Sequence, residues 1–363
     1  DTVYFIFIID YNKNIELIHI DEDDIDNLVN QLNNNIKECY DGDIEPLRIE
    51  AEIILHKLYS LLFDKHLLPY LQEVKKLIIS PDGVLNLLPF SVLFDGEHYL
   101  IEKYQIVYTT AATKYTHKSN DHYDKQLNIS LFADPNYDYP VNVQSNVEPH
   151  KRYCEGEEVK TYKKCYSLDG VKEEVENIQS VFSGDITLYK NNKADEENLL
   201  SLQSPKILHI ATHAFVINDK CNSSPLLNAA LALKGYNFAV ENAYEKGIFT
   251  GMKAATLNLA RTDLVVLSAC ETAVGEYSNV IGISSLSMAF MLAGTKATLV
   301  SFWLADDVIT QKLFTEFYGH ITIDTKNYSE HFYTAQKAIF QYCKNNEEVN
   351  HPLFWSCFGY FGV

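Results

Sequence analysis

No apolar run in this chain approaches the ~18 residues that a bilayer-crossing helix needs, so a membrane span is excluded. Positive charge is scarce. Thirty Lys and Arg stand against 49 Asp and Glu, a formal charge of -19. That balance repels phosphates, so direct nucleic-acid binding is not expected, while a basic polypeptide segment would be attracted. Paired cysteines are lacking too. Cys39, Cys154, Cys165, Cys221, Cys270, Cys343 and Cys357 are an odd, scattered set of 7, unlike a secreted disulfide scaffold. Reduced thiols and a cytoplasmic location are the simpler expectation. Cys154 and Cys165 share a polar stretch with no second pair, so no zinc knuckle is read there. There is no solenoid-type repeat. The apolar start, Val3 to Ile9, is too short for a signal peptide and has no basic flank. The chain opens on Asp1, not Met, which fits a piece of a longer protein.

What is present is a core. Hydrophobic residues are 47% of 363, enough for one large domain or two ordinary ones. Residues 1–20 predict a hairpin, because VYFIFII and alternating IELIHI flank the turn-forming DYNKN. Helices are expected over about 21–40, with Asp21 to Asp24 as acidic first-turn residues, and over about 50–68, with DGDIEPL as the break between them. Strands follow at 75–80, 105–109 and 127–133. The polar run 136–168 reads as a long surface loop. Beyond it, helices near 171–182, 281–293, 306–319 and 330–342 alternate with strands at 186–189, 206–214, 229–233, 263–268, 297–303 and 353–361. Such alternation predicts an α/β fold of three layers around a mostly parallel sheet. It is cleaner after Leu127, which suggests a division into residues 1–126 and 127–363.

Two of the apolar strands end in reactive side chains. KILHIATHA (Lys206 to Ala214) delivers His213, and DLVVLSACETAVG (Asp263 to Gly275) delivers Cys270. Chemistry in open α/β sheets collects at strand ends. A thiol titrating near ~8.5 becomes a nucleophile when an adjacent imidazole takes its proton. Cys270 is therefore the candidate nucleophile and His213 the candidate base for peptide-bond hydrolysis. The plain alternative for Cys270 is a buried core thiol. His209, four residues back, is expected in the layer beneath as a hydrogen-bonded core or supporting residue. A His209, His213 and Cys270 zinc set would lack a fourth ligand, so no metal is expected, and no cofactor. The backbone N–H groups of Cys270 and Ala214 are the candidate oxyanion donors. Asp306, Asp307 and, more weakly, Glu271 are candidates for a pocket favouring Arg or Lys before the scissile bond. Helix capping explains either aspartate equally well.

These pieces together resemble the CHAT peptidases, a caspase-related family often joined to tetratricopeptide repeats, and more distantly separase. The resemblance is carried by LLPFSVLF, YLIEKYQIVYTT, LFADPNY, ILHIATHA, DLVVLSACETAVGE, GISSLSMAFMLAGTKATLVSFWLADD and HPLFWSCFGYFG, in family order. It implies a caspase-like α/β/α sandwich whose N-terminal half is a degenerate relative of the catalytic half. It also implies a regulated cysteine endopeptidase that cuts a protein partner, with His213 as base and Cys270 as nucleophile. A role in bacterial defence, with a regulatory protein or an RNA-guided CRISPR effector as partner, belongs to the same implication. The alternative is a catalytically silent scaffold binding through the same cleft. A hydrolase or transferase acting on an acyl thioester is a further rival. Two positions depart from the family pattern, Ala214 and Ala273, where glycine is usual. Were φ positive there, a methyl group would cost on the order of 1 kcal/mol.

Overall fold

The computed structural model describes residues 4–9, 14–20, 24–40, 42–64, 67–109, 127–140, 164–216, 224–227, 229–242, 246–268, 277–323 and 327–362. The chain starts with a hairpin, β1 (Tyr4–Ile9) and β2 (Ile15–Ile20), paired antiparallel with Tyr4 opposite Ile20. Period-two alternation turns Tyr4, Ile6 and Ile20 to the core. Helix α1 (Ile25–Glu38) buries a stripe of Ile25, Leu28, Val29, Leu32 and Ile36, the helical spacing of an amphipathic face. Helix α2 (Ile44–Tyr59) begins earlier than the sequence predicts. Asp43 accepts from the Glu45 N–H and caps it. Pro46 then falls in the first turn, where no N–H partner is needed.

The centre is an eight-stranded sheet in the order β3-β4-β13-β12-β11-β7-β5-β6. Its strands are β3 (Lys76–Ile79), β4 (Gln105–Tyr108), β5 (Asn128–Pro135), β6 (Asp185–Asn191), β7 (Ile207–Ala211), β11 (Leu264–Ser268), β12 (Ala297–Ser301) and β13 (Phe358–Gly362). Every neighbouring pair is parallel except β12 with β13. The sheet is thus two parallel blocks meeting at one antiparallel seam. Strands β3 and β4, from the first 126 residues, join it through β13. Every residue of β7, β11, β12 and β13 is buried, as a sheet covered on both faces requires.

Register shows which helices cover which face. His209, Val266, Leu299 and Tyr360 are cross-strand partners in one row. His209 touches Tyr318 of helix α5 (Asp307–Gly319) and Glu174 of helix α3 (Asp169–Val181). The next row, Leu208, Val265 and Thr298, faces the opposite way. There Thr298 Oγ1 lies 2.6 Å from Ser287 Oγ of helix α4 (Tyr277–Leu292). Helices α3 and α5 therefore cover one face and α4 the other. Helix α6 (Tyr328–Lys344) packs beside α5 through Phe332 against Phe317. The result is the three-layer α/β fold with a mostly parallel sheet that the alternation predicts.

Two details differ from the expectation. The His-bearing strand does not run on to Ala214. It stops at Ala211, and β8 (Ala214–Val216) turns into a second, antiparallel sheet with β9 (Ala229–Ala232) and β10 (Ile248–Thr250). The closing strand is also shorter than predicted, because Pro352–Trp355 forms a helical turn before it. No helix among the described residues is long and apolar enough to cross a membrane.

Candidate active site

The five strands β5, β6, β7, β11 and β12 run parallel, so their C-terminal ends share one rim of the sheet. Ala211 and Ser268, the last residues of β7 and β11, are register partners. His213 stands two residues beyond the first, and Cys270 follows two residues beyond the second along the chain. Cys270 itself, with Glu271 and Ala273, lies outside the described residues.

His213 is buried, with 4% of its surface exposed. Its Nε2–H donates to the Tyr166 carbonyl at 2.7 Å, and its ring lies 5.2 Å from that of Tyr137. A carbonyl can only accept, so Nε2 carries the ring proton and Nδ1 is the basic nitrogen. The backbone is fixed as well. Ala232 N–H donates to the His213 carbonyl at 2.8 Å, and Thr212 Oγ1 donates to the Ala232 carbonyl at 2.6 Å. Because Thr212 spends its proton there, Tyr137 donates its own to Thr212 Oγ1 at 2.9 Å. Burial raises the Tyr137 pKa, which keeps that proton in place.

Ala214 pairs with Leu231. The bond between Ala232 and His213 marks the preceding pair as the hydrogen-bonded one. Alternation then makes 214/231 a pair whose N–H groups point away from each other. The Ala214 N–H is therefore directed away from β9. The non-glycine residues of positive φ among those described are Glu73, Asp134, Asn191 and Ser204. Ala214 is not one of them, so its methyl group carries no left-handed penalty.

The segment that caps His213 belongs to the stretch read from sequence as a surface loop. Lys164, Tyr166 and Ser167 are exposed as that reading expects, and one residue among them departs from it. Cys165 is buried. Asn237 grips it as a strand would, accepting from Cys165 N–H and donating to its carbonyl, each at 2.8 Å. The same amide donates to Asp138 at 2.7 Å. Ser167 Oγ donates to Asp134 at 2.7 Å. Asp134 has φ of 43°, at an irregularity in β5. A non-glycine residue there costs on the order of 1 kcal/mol, which the packed strap and its anchors offset. Sequence reasoning did not find Tyr166, Asn237 or Asp134. The one available signal was Cys165, a hydrophobic side chain inside a polar run.

His209 lies wholly inside, below the rim. Its Nδ1 is 2.8 Å from the Tyr318 hydroxyl. Its Nε2 is 2.9 Å from Glu174 Oε1, at an angle too bent for a full hydrogen bond. Asp306 and Asp307 follow β12 at the same rim, and both are exposed. Asp306 caps α5, accepting from Ile309 N–H at 2.9 Å. Asp307 packs on Gly170, where an added Cβ would come within 2.5 Å of its Cγ. From the N-terminal region, the Tyr40 hydroxyl donates to the Leu304 carbonyl at 2.6 Å beside them. No cluster of three metal-ligating side chains occurs among the described residues.

Among solved structures, the chain is similar to the Arg-specific cysteine proteinase gingipain R, with 10% identity, a TM-score of 0.45, and coverage of 93% of this chain and 74% of that one. A complex of the Porphyromonas gingivalis RgpB pro- and mature domains matches with 11% identity, a TM-score of 0.43, and coverage of 93% and 75%. The Saccharomyces cerevisiae separase–securin complex matches with 12% identity and a TM-score of 0.42. That match covers 93% of this chain but 22% of that one. No curated protein matches the chain. A family model described as the CHAT domain matches residues 52–362, and the chain therefore belongs to the CHAT domain family.

Proposed function

We propose that the protein is a cysteine endopeptidase of caspase-like architecture, with Cys270 as nucleophile and His213 as base. The observation that supports it most is the rim itself. Two adjacent parallel strands end on paired residues, Ala211 and Ser268, and each candidate follows its strand by two positions. The Tyr166 carbonyl holds Nε2–H, which leaves Nδ1 as the nitrogen able to exchange a proton with a thiol.

In this reading Nδ1 takes the Cys270 proton and the thiolate adds to the scissile carbonyl carbon. The resulting oxyanion is received by the N–H groups of Ala214 and Cys270. The imidazolium returns the proton to the leaving nitrogen as the C–N bond breaks, giving a thioester. Nδ1 then accepts a proton from water as the water oxygen attacks, and the thiol is regenerated when the C–S bond breaks. No carboxylate is needed in these steps, because the orienting acceptor is a backbone carbonyl.

The substrate is a protein partner, cut after Arg or Lys, with the acidic pair Asp306 and Asp307 drawing the basic side chain. Both are exposed at the rim, and one Asp306 oxygen also caps a helix. Regulation by a partner protein or an RNA-guided effector in bacterial defence, and a degenerate half in residues 1–126, complete the reading. The test is incubation with a proteome-derived peptide library, with new termini mapped by mass spectrometry. Cleavage that disappears in Cys270→Ala supports the dyad. Undiminished cleavage in that variant overturns it, and a consistent apolar residue before the cut overturns the acidic pocket.

A further inference from the structure

Beneath the rim is a buried polar chain that the proposed steps do not use. It runs from Tyr318 through His209 and Glu174 to Ser268, and each of the four is nearly or wholly inaccessible. Ser268 Oγ donates to Glu174 Oε2 at 2.9 Å. Glu174 Oε1 meets His209 Nε2, and His209 Nδ1 meets the Tyr318 hydroxyl. Burial first, and the Glu174 charge second, push the Tyr318 pKa well above its usual range, so Tyr318 keeps its proton and donates it to Nδ1. Nε2 then carries the ring proton and faces the carboxylate.

Buried carboxylates are costly, and a Ser donor with a bent His contact is modest compensation. A well-packed apolar set would hold two helices to a sheet at least as well. What an apolar set could not do is grip one hydroxyl on the last residue of β11. Ser268 and His209 face the same helices, because the rows Val266–His209 and Ser268–Ala211 point to one side of the sheet. Glu174 therefore bridges the middle of β7 to the end of β11, two residues before Cys270.

We infer that Glu174 and Ser268 are positioning residues: the carboxylate, oriented by His209 and Tyr318, anchors the Ser268 hydroxyl and so fixes the direction in which the chain leaves β11 towards Cys270. This rests on the dyad reading above. It assigns the group no proton transfer and no contact with substrate. Its effect is on where the sulfur sits relative to Nδ1, a quantity to which rates are steeply sensitive.

The experiment compares Ser268→Ala, Glu174→Gln, the double variant and Ser268→Thr in the full chain. Three readouts are taken: the melting curve, kcat and KM on the best library peptide, and the rate at which iodoacetamide alkylates Cys270, followed by peptide mapping. Positioning predicts that Ser268→Ala and Glu174→Gln each lower kcat and the alkylation rate by about 10- to 100-fold, with KM and the melting curve close to the parent. The double variant falls no further than the worse single, because both remove one bond. Ser268→Thr, which keeps a hydroxyl, recovers most of the rate. If Glu174→Gln fails to fold, Ser268→Ala carries the test, since it deletes a single oxygen. Alkylation needs no peptide substrate, so an unchanged rate in folded Ser268→Ala overturns the positioning role alone. Undiminished cleavage in Cys270→Ala overturns the dyad beneath it. A kcat loss that only tracks the unfolded fraction also overturns the inference.

Discussion

His209 and His213 are four residues apart, yet the molecule treats them in opposite ways. His209 is inside β7, in a row shared with Val266 and Leu299, and both its nitrogens meet side chains of the covering helices. His213 lies just past the strand, and its Nε2 meets a backbone carbonyl from a separate strap. The same side chain is a strut when the sheet's pleat aims it at a helix layer. It is a candidate base when the strand has ended and one nitrogen is reserved for the rim. The difference lies in Thr212, whose hydroxyl bonds the Ala232 carbonyl and draws the chain out of β7 into the second sheet.

The sharpest way to break this comparison is to exchange the roles. His213→Gln keeps a side chain of similar reach but no basic nitrogen, so cleavage is expected to fall by roughly 10²- to 10⁴-fold. The melting curve should change little in comparison. Cleavage at the parental rate would end the division between the two histidines. His209→Ala should show the reverse emphasis. It leaves the Glu174 carboxylate and the Tyr318 hydroxyl facing a void, and the unsatisfied buried polar groups together with the cavity left by the ring cost about 3–5 kcal/mol. Chemical denaturation measures that loss. A stability within about 1 kcal/mol of the parent, the size of one neutral hydrogen bond, would show that the interior network is not a strut.

His351 extends the interior side of the comparison to pH. It is fully buried, with Nε2 3.1 Å from Asn35 Oδ1 of α1 and Nδ1 accepting from Leu353 N–H at 3.0 Å. The Nε2–H donates to Asn35 Oδ1, and the Nδ1 contact requires the neutral ring, since a protonated Nδ1 could not accept. Burial lowers the ring's pKa from 6.5 to about 4. Above pH 6.5 the ring is neutral in folded and unfolded chains alike, and its contribution is intact. As pH falls from there towards 4, the unfolded chain binds the proton first, so stability declines with pH across that window. The linkage is about 3 kcal/mol. Denaturation at pH 7 and pH 4 should show a drop smaller by that amount in His351→Gln than in the parent. Identical slopes in the two proteins would remove His351 from the set of neutral struts.

The sequence carried much of this arrangement because its signals were local. Apolar runs marked the buried strands, and HIATHA and SACET each put a reactive group at the end of one. The break at Thr212 was not legible, because KILHIATHA is compatible with one unbroken strand. Only the tertiary pairing of Ala214 with Leu231 divides it. The strap was hidden for a related reason. Its anchors, Asp134 and Asn237, come from segments about 30 residues before it and 70 after it in sequence, and capping by the Tyr166 carbonyl leaves no trace in residue type. Glu174 reads as one acidic residue in an amphipathic helix until the fold turns it inward to Ser268. Pro46 misled in the other direction, since a helix breaker is harmless in a first turn.

The smallest expected effect sharpens the comparison for carboxylates at the rim. Asp306 and Asp307 are adjacent and exposed, yet Asp306 has an oxygen committed to Ile309 N–H while Asp307 faces Gly170. Asp306→Ala should cost about 1 kcal/mol through loss of the cap. Asp306→Asn retains a capping oxygen and should cost only a few tenths of that, since Asn and Asp are similar as caps. If capping is the whole of its role, Asp306→Asn also leaves the preference for a basic residue before the cut unchanged, and Asp307→Asn weakens it. The measurement is kcat/KM for paired Arg and Gln peptides in the two Asn variants. A larger loss of discrimination in Asp306→Asn than in Asp307→Asn would reverse the assignment and make the capping residue the one that reads the substrate.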